Sequence, residues 1–104
     1  DMFIVGGFNA YPAEIERVLL QHPALSQAAV VGAPDERLGE VGVAFVVPRP
    51  GASIEPDEIS TFCRERMANY KVPRVVIVLS ELPTNATGKV LKYQLRERAR
   101  GQSR

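Results

Sequence analysis

Residues 1–16 read DMFIVGGFNAYPAEIE and contain three structural signals in succession. A short apolar run ends at two glycines, and a second short extended piece leads away from them, which predicts a small β-hairpin. Pro12 suits the first position of a helix, where its missing N–H would have no partner in any case. Glu14 and Glu16 follow in the first turns, where the helix N-terminus favours negative charge. The stretch therefore predicts a hairpin followed at once by a helix.

The rest of the chain alternates apolar runs of strand and helix type. Pro23 disfavours helical geometry in the residue before it, so the first helix is predicted to end near His22. The further predicted elements are strands at 25–33, 40–47 and 75–79, a helix from Pro56, and a helix at about 92–98. This order predicts a small α+β domain with a central sheet of about three main strands flanked by helices, plus the short N-terminal hairpin.

Composition indicates one ordinary globular domain. The 104 residues are 45% hydrophobic and 24% charged, which is enough to bury a core and argues against disorder. Cys63 is the only cysteine, which rules out an intrachain disulfide and favours a reducing cytoplasm. It falls on the apolar face of the helix after Pro56, so we expect a small core residue.

The sequence has no pattern typical of a signal peptide, a membrane span or a metal-binding Cys/His cluster. We therefore expect no stable membrane insertion and no metal site. Because the chain starts at Asp1 rather than at a methionine, we expect it to be an excised piece of a longer protein.

Charge is divided unequally along the chain. Residues 1–63 carry three basic and nine acidic side chains, a net charge of −6, whereas residues 64–104 carry ten basic and three acidic ones, a net charge of +7. A basic second half suits polyphosphate, nucleic acid or an acidic partner surface. A solvated helix face and tail would explain part of this charge equally well, namely Arg96, Arg98, Arg100 and Arg104.

A second polar segment, residues 82–92, reads LPTNATGKVLK and places Lys89 directly after a glycine. A flexible cation there suits a site where two anionic reactants and developing negative charge are held together. A Walker-type P-loop is excluded, because the segment has one glycine and no Ser or Thr after the lysine. Taken alone, the lysine would also be explained as a solvated surface charge.

Together, residues 1–16 and 82–92 resemble the C-terminal domain of adenylate-forming enzymes, the superfamily of acyl-CoA synthetases, luciferases and peptide-synthetase adenylation domains. The resemblance covers nearly the whole chain. It implies that residues 1–104 are a mobile C-terminal domain, inactive alone, whose partner is a larger N-terminal domain absent from this chain. Such enzymes join a carboxylic acid substrate to the α-phosphate of ATP, expel pyrophosphate and then pass the acyl group to CoA.

The same resemblance assigns the adenylation lysine and the cofactors. Pro83, Gly88 and Lys89 match the family motif in register, which implies that Lys89 is the catalytic lysine bridging the acid and the α-phosphate. Lys92 stands where the family has a basic residue three positions later. The implied cofactors are ATP, CoA and Mg, with Mg held mainly by the N-terminal domain.

Gly6 and Gly7 are the second implied site. Glycines permit positive φ and close backbone approach, which a slender pantetheine arm would exploit. In similar CoA ligases the matching loop lines the pantetheine tunnel when the domain is turned for thioester formation, so the resemblance implies that Gly6 and Gly7 face CoA. A plain hairpin turn would also explain both glycines.

Tyr70 and Lys71 are the third implied site. An aromatic ring beside a cation suits a nucleotide, since the ring stacks on a base and the amine meets a phosphate. Related CoA ligases carry such a pair nineteen residues before the catalytic lysine, as here. Val72 stands where some relatives have an arginine, which leaves the phosphate contact open. Packing of Tyr70 against the sheet is the alternative.

We therefore expect an ATP-dependent ligase of CoA and fatty-acyl or related carboxylic acids, and no nucleic acid. Residues 6–16 look more like fatty-acyl or aryl-CoA ligases than like acetyl-CoA synthetases, and are similar to actinobacterial ligases of fatty acids or steroid-ring propanoates. One alternative is an adenylation domain that loads a carrier protein. Another is a non-catalytic nucleic-acid-binding module, against which the lack of an aromatic-basic repeat speaks. His22 lacks a partner of ligand or triad spacing, so a surface or capping role is expected.

Overall fold

The computed structural model describes residues 1–101, in which one five-stranded sheet carries helices on both faces. The elements in chain order are β1 (Phe3–Val5), β2 (Phe8–Ala10), α1 (Pro12–Leu19), β3 (Leu25–Asp35), β4 (Gly39–Pro48), α2 (Pro56–Arg64), a 3-10 turn (Asn69–Lys71), β5 (Val75–Val78) and α3 (Lys92–Arg100). The predicted α+β class with helices flanking the sheet is confirmed. Arg104, predicted to carry tail charge, lies outside the described residues.

The predicted N-terminal hairpin forms and is part of the main sheet. Val5 pairs with Phe8 across a turn of Gly6 and Gly7, whose φ angles are +56° and +90°. Two successive positive φ angles fit a type I′ turn, whose twist matches that of the flanking strands. Val5 also pairs with Gly39 of β4. The sheet therefore has five strands, and the hairpin supplies two of them.

β4 is the central strand of the sheet. It pairs with β3 in antiparallel register from Asp35 opposite Gly39 to Leu25 opposite Pro48. Its other side pairs antiparallel with β1 and, further along, parallel with β5. The outer side of β3 has no strand partner within residues 1–101, so β3 is an edge strand whose free N–H groups need other acceptors.

Two hydrophobic clusters lie on opposite faces of the sheet. The first cluster joins the sheet to α1 and α2 through buried side chains that include Ile15, Val30 and Ile59. The second cluster joins the sheet to α3 through Phe45 and Leu95. Neighbouring residues of β3 and β4 supply both clusters, because side chains alternate across a strand. The sheet thus separates an α1/α2 layer from an α3 layer.

α2 and its cysteine agree with the sequence-based expectation. The helix begins at Pro56, and Glu55 and Glu58 form a reciprocal capping box, with the Glu58 carboxylate 3.1 Å from the Glu55 N–H. Cys63 is fully buried in the first cluster, as predicted. Burial raises the pKa of its thiol to about 11, so the group is an uncharged core side chain at neutral pH.

Two helix ends differ from their predicted positions. α1 ends at Leu19 rather than near His22, and the chain continues as a turn in which the His22 N–H donates to the Leu19 carbonyl at 3.0 Å. Nδ1 of His22 accepts a hydrogen bond from the Ala24 N–H at 3.1 Å, so its side chain stabilises the turn after α1, whereas the helix itself is capped by Leu20. α3 continues to Arg100, two residues beyond its predicted end. No helix in residues 1–101 has both the length and the apolarity needed to cross a bilayer.

Candidate functional site

Lys89 lies near the end of a closed loop that leads into α3. Thr84 and Val90 form an isolated antiparallel bridge at the base of the loop, and the Leu91 N–H donates to the Pro83 carbonyl at 2.9 Å. These contacts join the two stems of the loop, so the backbone at Lys89 is held against the segment that follows β5.

Asn85 organises the inside of this loop, hereafter the Lys89 loop (residues 84–90). Its side-chain oxygen accepts hydrogen bonds from the backbone N–H of Thr87 at 3.0 Å and of Lys89 at 2.9 Å, and from the Thr87 hydroxyl at 2.8 Å. Gly88 has φ of +86°, a backbone conformation that glycine adopts without strain. Sequence reasoning did not single out Asn85, although asparagine in a Gly-containing loop is a known turn signal.

The side chain of Lys89 is exposed above this fixed backbone. Its ammonium group makes no hydrogen bond or ion pair with residues 1–101. An open cavity of about 690 Å³ lies beside it, and Lys92 and Arg96 of α3 line the same cavity together with Asn85 and Glu16. Three cationic side chains therefore line this cavity, which favours an anionic ligand; Lys89 and Arg96 are exposed, whereas Lys92 is paired with Glu16.

A second surface lies on the α1/α2 side of the sheet. A groove of about 420 Å³ is lined by Gly6 and Phe8 of the hairpin and by Tyr70 of the 3-10 turn. The rings of Phe8 and Tyr70 stack with centroids 4.9 Å apart and an interplanar angle of 28°. We call this the hairpin groove. Gly7 lies next to Gly6 in the turn, and a Cβ atom built there would meet no atom within 4 Å.

Tyr70 also packs against the first cluster, which was the alternative explanation for this residue. Packing and ligand contact are compatible here, because the ring is only partly buried and lines the hairpin groove.

Three arginines line the hairpin groove, and sequence reasoning missed them: Arg37, Arg64 and Arg74. Val72, which stands where some relatives have an arginine, borders the groove and carries no charge. Arg74, two residues later, borders the same groove and supplies a cation there. Nη1 of Arg74 lies 3.9 Å from Asp35. Backbone hydrogen bonds, first from the Leu38 N–H, hold the pKa of Asp35 below its usual value.

Lys71 faces a neighbouring depression rather than the hairpin groove. Its ammonium group donates to Glu14 of α1 at 3.1 Å, and this bond raises the pKa of Lys71. The same ammonium lies 5.7 Å from the centre of the Tyr70 ring. Tyr70 lines both depressions, so it connects Lys71 with the hairpin groove.

The Lys89 loop and the hairpin groove belong to opposite layers of the domain. Val90, next to Lys89, packs against the second cluster, whereas Tyr70 packs against the first. The two surfaces share no lining residue. The structure therefore places Gly6 and Tyr70 on the same groove, with Gly7 next to Gly6 in the turn, and keeps Lys89 apart from them. Within residues 1–101, no three His, Cys, Asp or Glu side chains lie together in a way that would hold a metal ion.

Known proteins of one family are similar to this chain in sequence and in structure. Residues 14–89 match the model of the AMP-binding enzyme C-terminal domain. A 3-[(3aS,4S,7aS)-7a-methyl-1,5-dioxo-octahydro-1H-inden-4-yl]propanoyl:CoA ligase of Rhodococcus jostii is 53% identical over 97 residues, which are 93% of this chain and 19% of that protein.

Two solved structures are similar over almost the entire chain. A Mycobacterium tuberculosis fatty acyl CoA synthetase superposes with a TM-score of 0.87 at 45% identity, over 98% of this chain and 20% of that one. ATP-bound MatB from Rhodopseudomonas palustris superposes with a TM-score of 0.94 at 36% identity, over 100% of this chain and 21% of that one. The chain thus spans about a fifth of the length of these relatives. It belongs to the AMP-binding enzyme C-terminal domain family, the C-terminal domain of the adenylate-forming superfamily.

Proposed function

We propose that this chain is the mobile C-terminal domain of a cytoplasmic, ATP-dependent ligase that joins fatty acids or related carboxylic acids to CoA. One observation carries the proposal: a single small sheet bears two separate open cavities, one beside Lys89 on one face and the hairpin groove on the other. The names of the relatives support it, since they include CoA ligases and an ATP-bound structure. The N-terminal domain of the same protein would be the partner.

The proposed reaction has two half-reactions. In the first, a carboxylate oxygen of the acid attacks the α-phosphorus of ATP, and the bond to pyrophosphate breaks. In the second, the CoA thiol loses its proton and attacks the acyl carbon, and AMP leaves. The two steps need different ligands beside the same acyl group, which a domain with two ligand surfaces would present in turn.

Lys89 is proposed to act in the first half-reaction. Asn85 fixes the backbone of Lys89 while the side chain stays exposed and without a partner among residues 1–101. A cation held in this way would stabilise the charge that develops between carboxylate and α-phosphate without rearranging its surroundings. Mg would be held mainly by the N-terminal domain, since residues 1–101 provide no carboxylate cluster for it.

The hairpin groove is proposed to receive CoA in the second half-reaction. The open space at Gly7 suits the pantetheine arm, and the exposed part of Tyr70 suits the adenine ring. We assign phosphate contacts to Arg74 and its two neighbouring arginines in the groove. Lys71 would join them by exchanging its bond to Glu14 for a phosphate oxygen.

Arg74→Ala in the full-length protein is expected to raise the KM for CoA about tenfold or more, the loss typical of one hydrogen bond to a charged group. The measurement is acyl transfer from preformed acyl-adenylate to CoA and to pantetheine, which lacks the nucleotide. We expect no change with pantetheine or in pyrophosphate exchange. Arg66→Ala is the control, because Arg66 lies over Phe62 and outside the groove.

Two results would contradict this assignment. An equal rise in KM for CoA and pantetheine would mean that Arg74 does not meet the nucleotide phosphates. Acyl transfer to a holo carrier protein, with none to CoA, would favour the carrier-loading alternative over the CoA ligase.

A further inference from the structure

Glu16 links three elements at the open edge of the sheet. One carboxylate oxygen, Oε2, accepts a hydrogen bond from the Val30 N–H of β3 at 2.8 Å and lies 2.7 Å from the ammonium nitrogen of Lys92. The side chains of Glu16 and Lys92 are only 20% and 24% exposed, so this ion pair is largely shielded from solvent. Such shielded, charge-assisted contacts are stronger than ion pairs on the open surface.

The position of this contact explains why it spans both layers. β3 is an edge strand, and the Glu16 carboxylate serves as acceptor for one of its outward N–H groups. α1 packs on the first cluster, whereas α3 packs on the second, so a side chain from α1 meets one from α3 only around this edge. Glu16 is therefore a connection between the layer of the hairpin groove and the layer of the Lys89 loop.

Lys92 is the first residue of α3 and follows the stem of the Lys89 loop directly. The stem is closed by the bridge from Thr84 to Val90 and by the bond from Leu91 to Pro83. Glu16 ties the residue after this stem to the sheet edge. The loop is thus anchored internally by Asn85 and externally by the ion pair of Lys92.

We propose that Glu16 is a positioning residue for adenylation, which fixes the Lys89 loop through Lys92. The proposal rests on the proposed function, since it assumes that Lys89 acts in adenylate formation. Glu14 has a different task. It lies two positions earlier on α1, points to another side of the helix and binds Lys71 instead. A favourable charge near the helix N-terminus, the explanation based on sequence, does not account for the contact of Glu16 with Lys92.

Glu16→Gln keeps an acceptor for the Val30 N–H and removes the charge that holds Lys92. In the full-length protein we expect the kcat of pyrophosphate exchange to fall about ten- to hundredfold, the scale of loss when a reacting group is displaced by about 1 Å. The KM values for ATP and the acid, and thiol transfer from preformed acyl-adenylate, should stay near wild type. Lys92→Met should give the same fall, and Lys92→Arg should keep most of the activity.

The double variant Glu16→Gln/Lys92→Met tests whether the two residues affect the rate of pyrophosphate exchange through their shared ion pair or independently of each other. If the two residues act as one unit, the double variant is no slower than either single variant. Glu40→Gln is the matched control, because the Glu40 carboxylate also accepts a strand N–H, that of Ile4 at 3.0 Å, but has no lysine partner among residues 1–101. Glu40→Gln should leave both half-reactions unchanged.

Additive losses in the double variant, or equal losses in both half-reactions, would overturn the role of Glu16. If Glu16→Gln fails to fold, Lys92→Met and Lys92→Arg still provide the test. Lys89→Ala distinguishes a failure of the positioning role from a failure of the proposed function. A normal rate of pyrophosphate exchange in Lys89→Ala would contradict the proposed function itself, whereas a loss there with no loss in Glu16→Gln would overturn only the positioning role.

Discussion

Lys89→Ala in the full-length protein is expected to lower adenylate formation by about two to three orders of magnitude, the loss seen when one preorganised electrostatic contact to a transition state is removed. Acyl transfer from preformed acyl-adenylate to CoA should largely survive, because Lys89 lies on the opposite side of the sheet from the hairpin groove. Pyrophosphate exchange measures the first half-reaction, and acyl-CoA formation from a synthetic acyl-adenylate measures the second.

Arg98→Ala is the control for this experiment. Arg98 is also a cation of the α3 layer, and it is exposed and lies outside the cavity beside Lys89. Its removal should change neither half-reaction. Equal loss of both half-reactions in Lys89→Ala would point to a role in folding and would remove Lys89 from the proposed chemistry.

Gly7→Leu is expected to have the opposite pattern, slowing thiol transfer by about two orders of magnitude through displacement of the pantetheine arm. Pyrophosphate exchange should stay nearly intact. Within this domain a Cβ atom at Gly7 has no neighbour within 4 Å, so we expect the obstruction to arise only when the hairpin groove faces the active site. The φ of +90° adds backbone strain of about 1–2 kcal/mol for a side chain other than glycine.

Gly51→Leu is the control that separates the effect of backbone strain from the effect of obstructing the pantetheine arm. Gly51 has φ of +82° and open space around it, as Gly7 has, but it lies in the turn after β4 and away from the groove. Equal effects of the two variants would mean that strain alone is responsible. If Gly7→Leu loses its circular dichroism at ambient temperature, the glycine serves the turn and the CoA role is withdrawn.

Local sequence signals were sufficient for most of the fold. Pro12 and Pro56 fixed the starts of α1 and α2, because a proline is best accommodated at the first helical position. The hairpin followed from two adjacent glycines. Its pairing with β4 was not predicted, since the contact of Val5 with Gly39 joins residues far apart in sequence and leaves no periodic pattern.

The proposed functional surfaces were predictable only where a motif was local. Lys89, Gly7 and Tyr70 were found from short segments, and their roles remain predictions. Sequence analysis did not single out Arg74 and Glu16, whose proposed roles depend on contacts with residues far away in the sequence. Arg74 reaches the groove through the parallel pairing of β5, and Glu16 meets Lys92 around a strand edge. A glutamate near the start of a helix gives no indication of such a partner.

The proposal that one domain serves two half-reactions requires two orientations of it, between which ligands shift the population. An exposed cysteine introduced as Arg98→Cys can carry one label, because the native Cys63 thiol is buried and its pKa is raised. A second label lies in the N-terminal domain of the full-length protein. We predict that an acyl-adenylate analogue together with CoA changes the distance between the labels relative to ATP alone. An unchanged distance in all ligand states would contradict the alternation of the two surfaces.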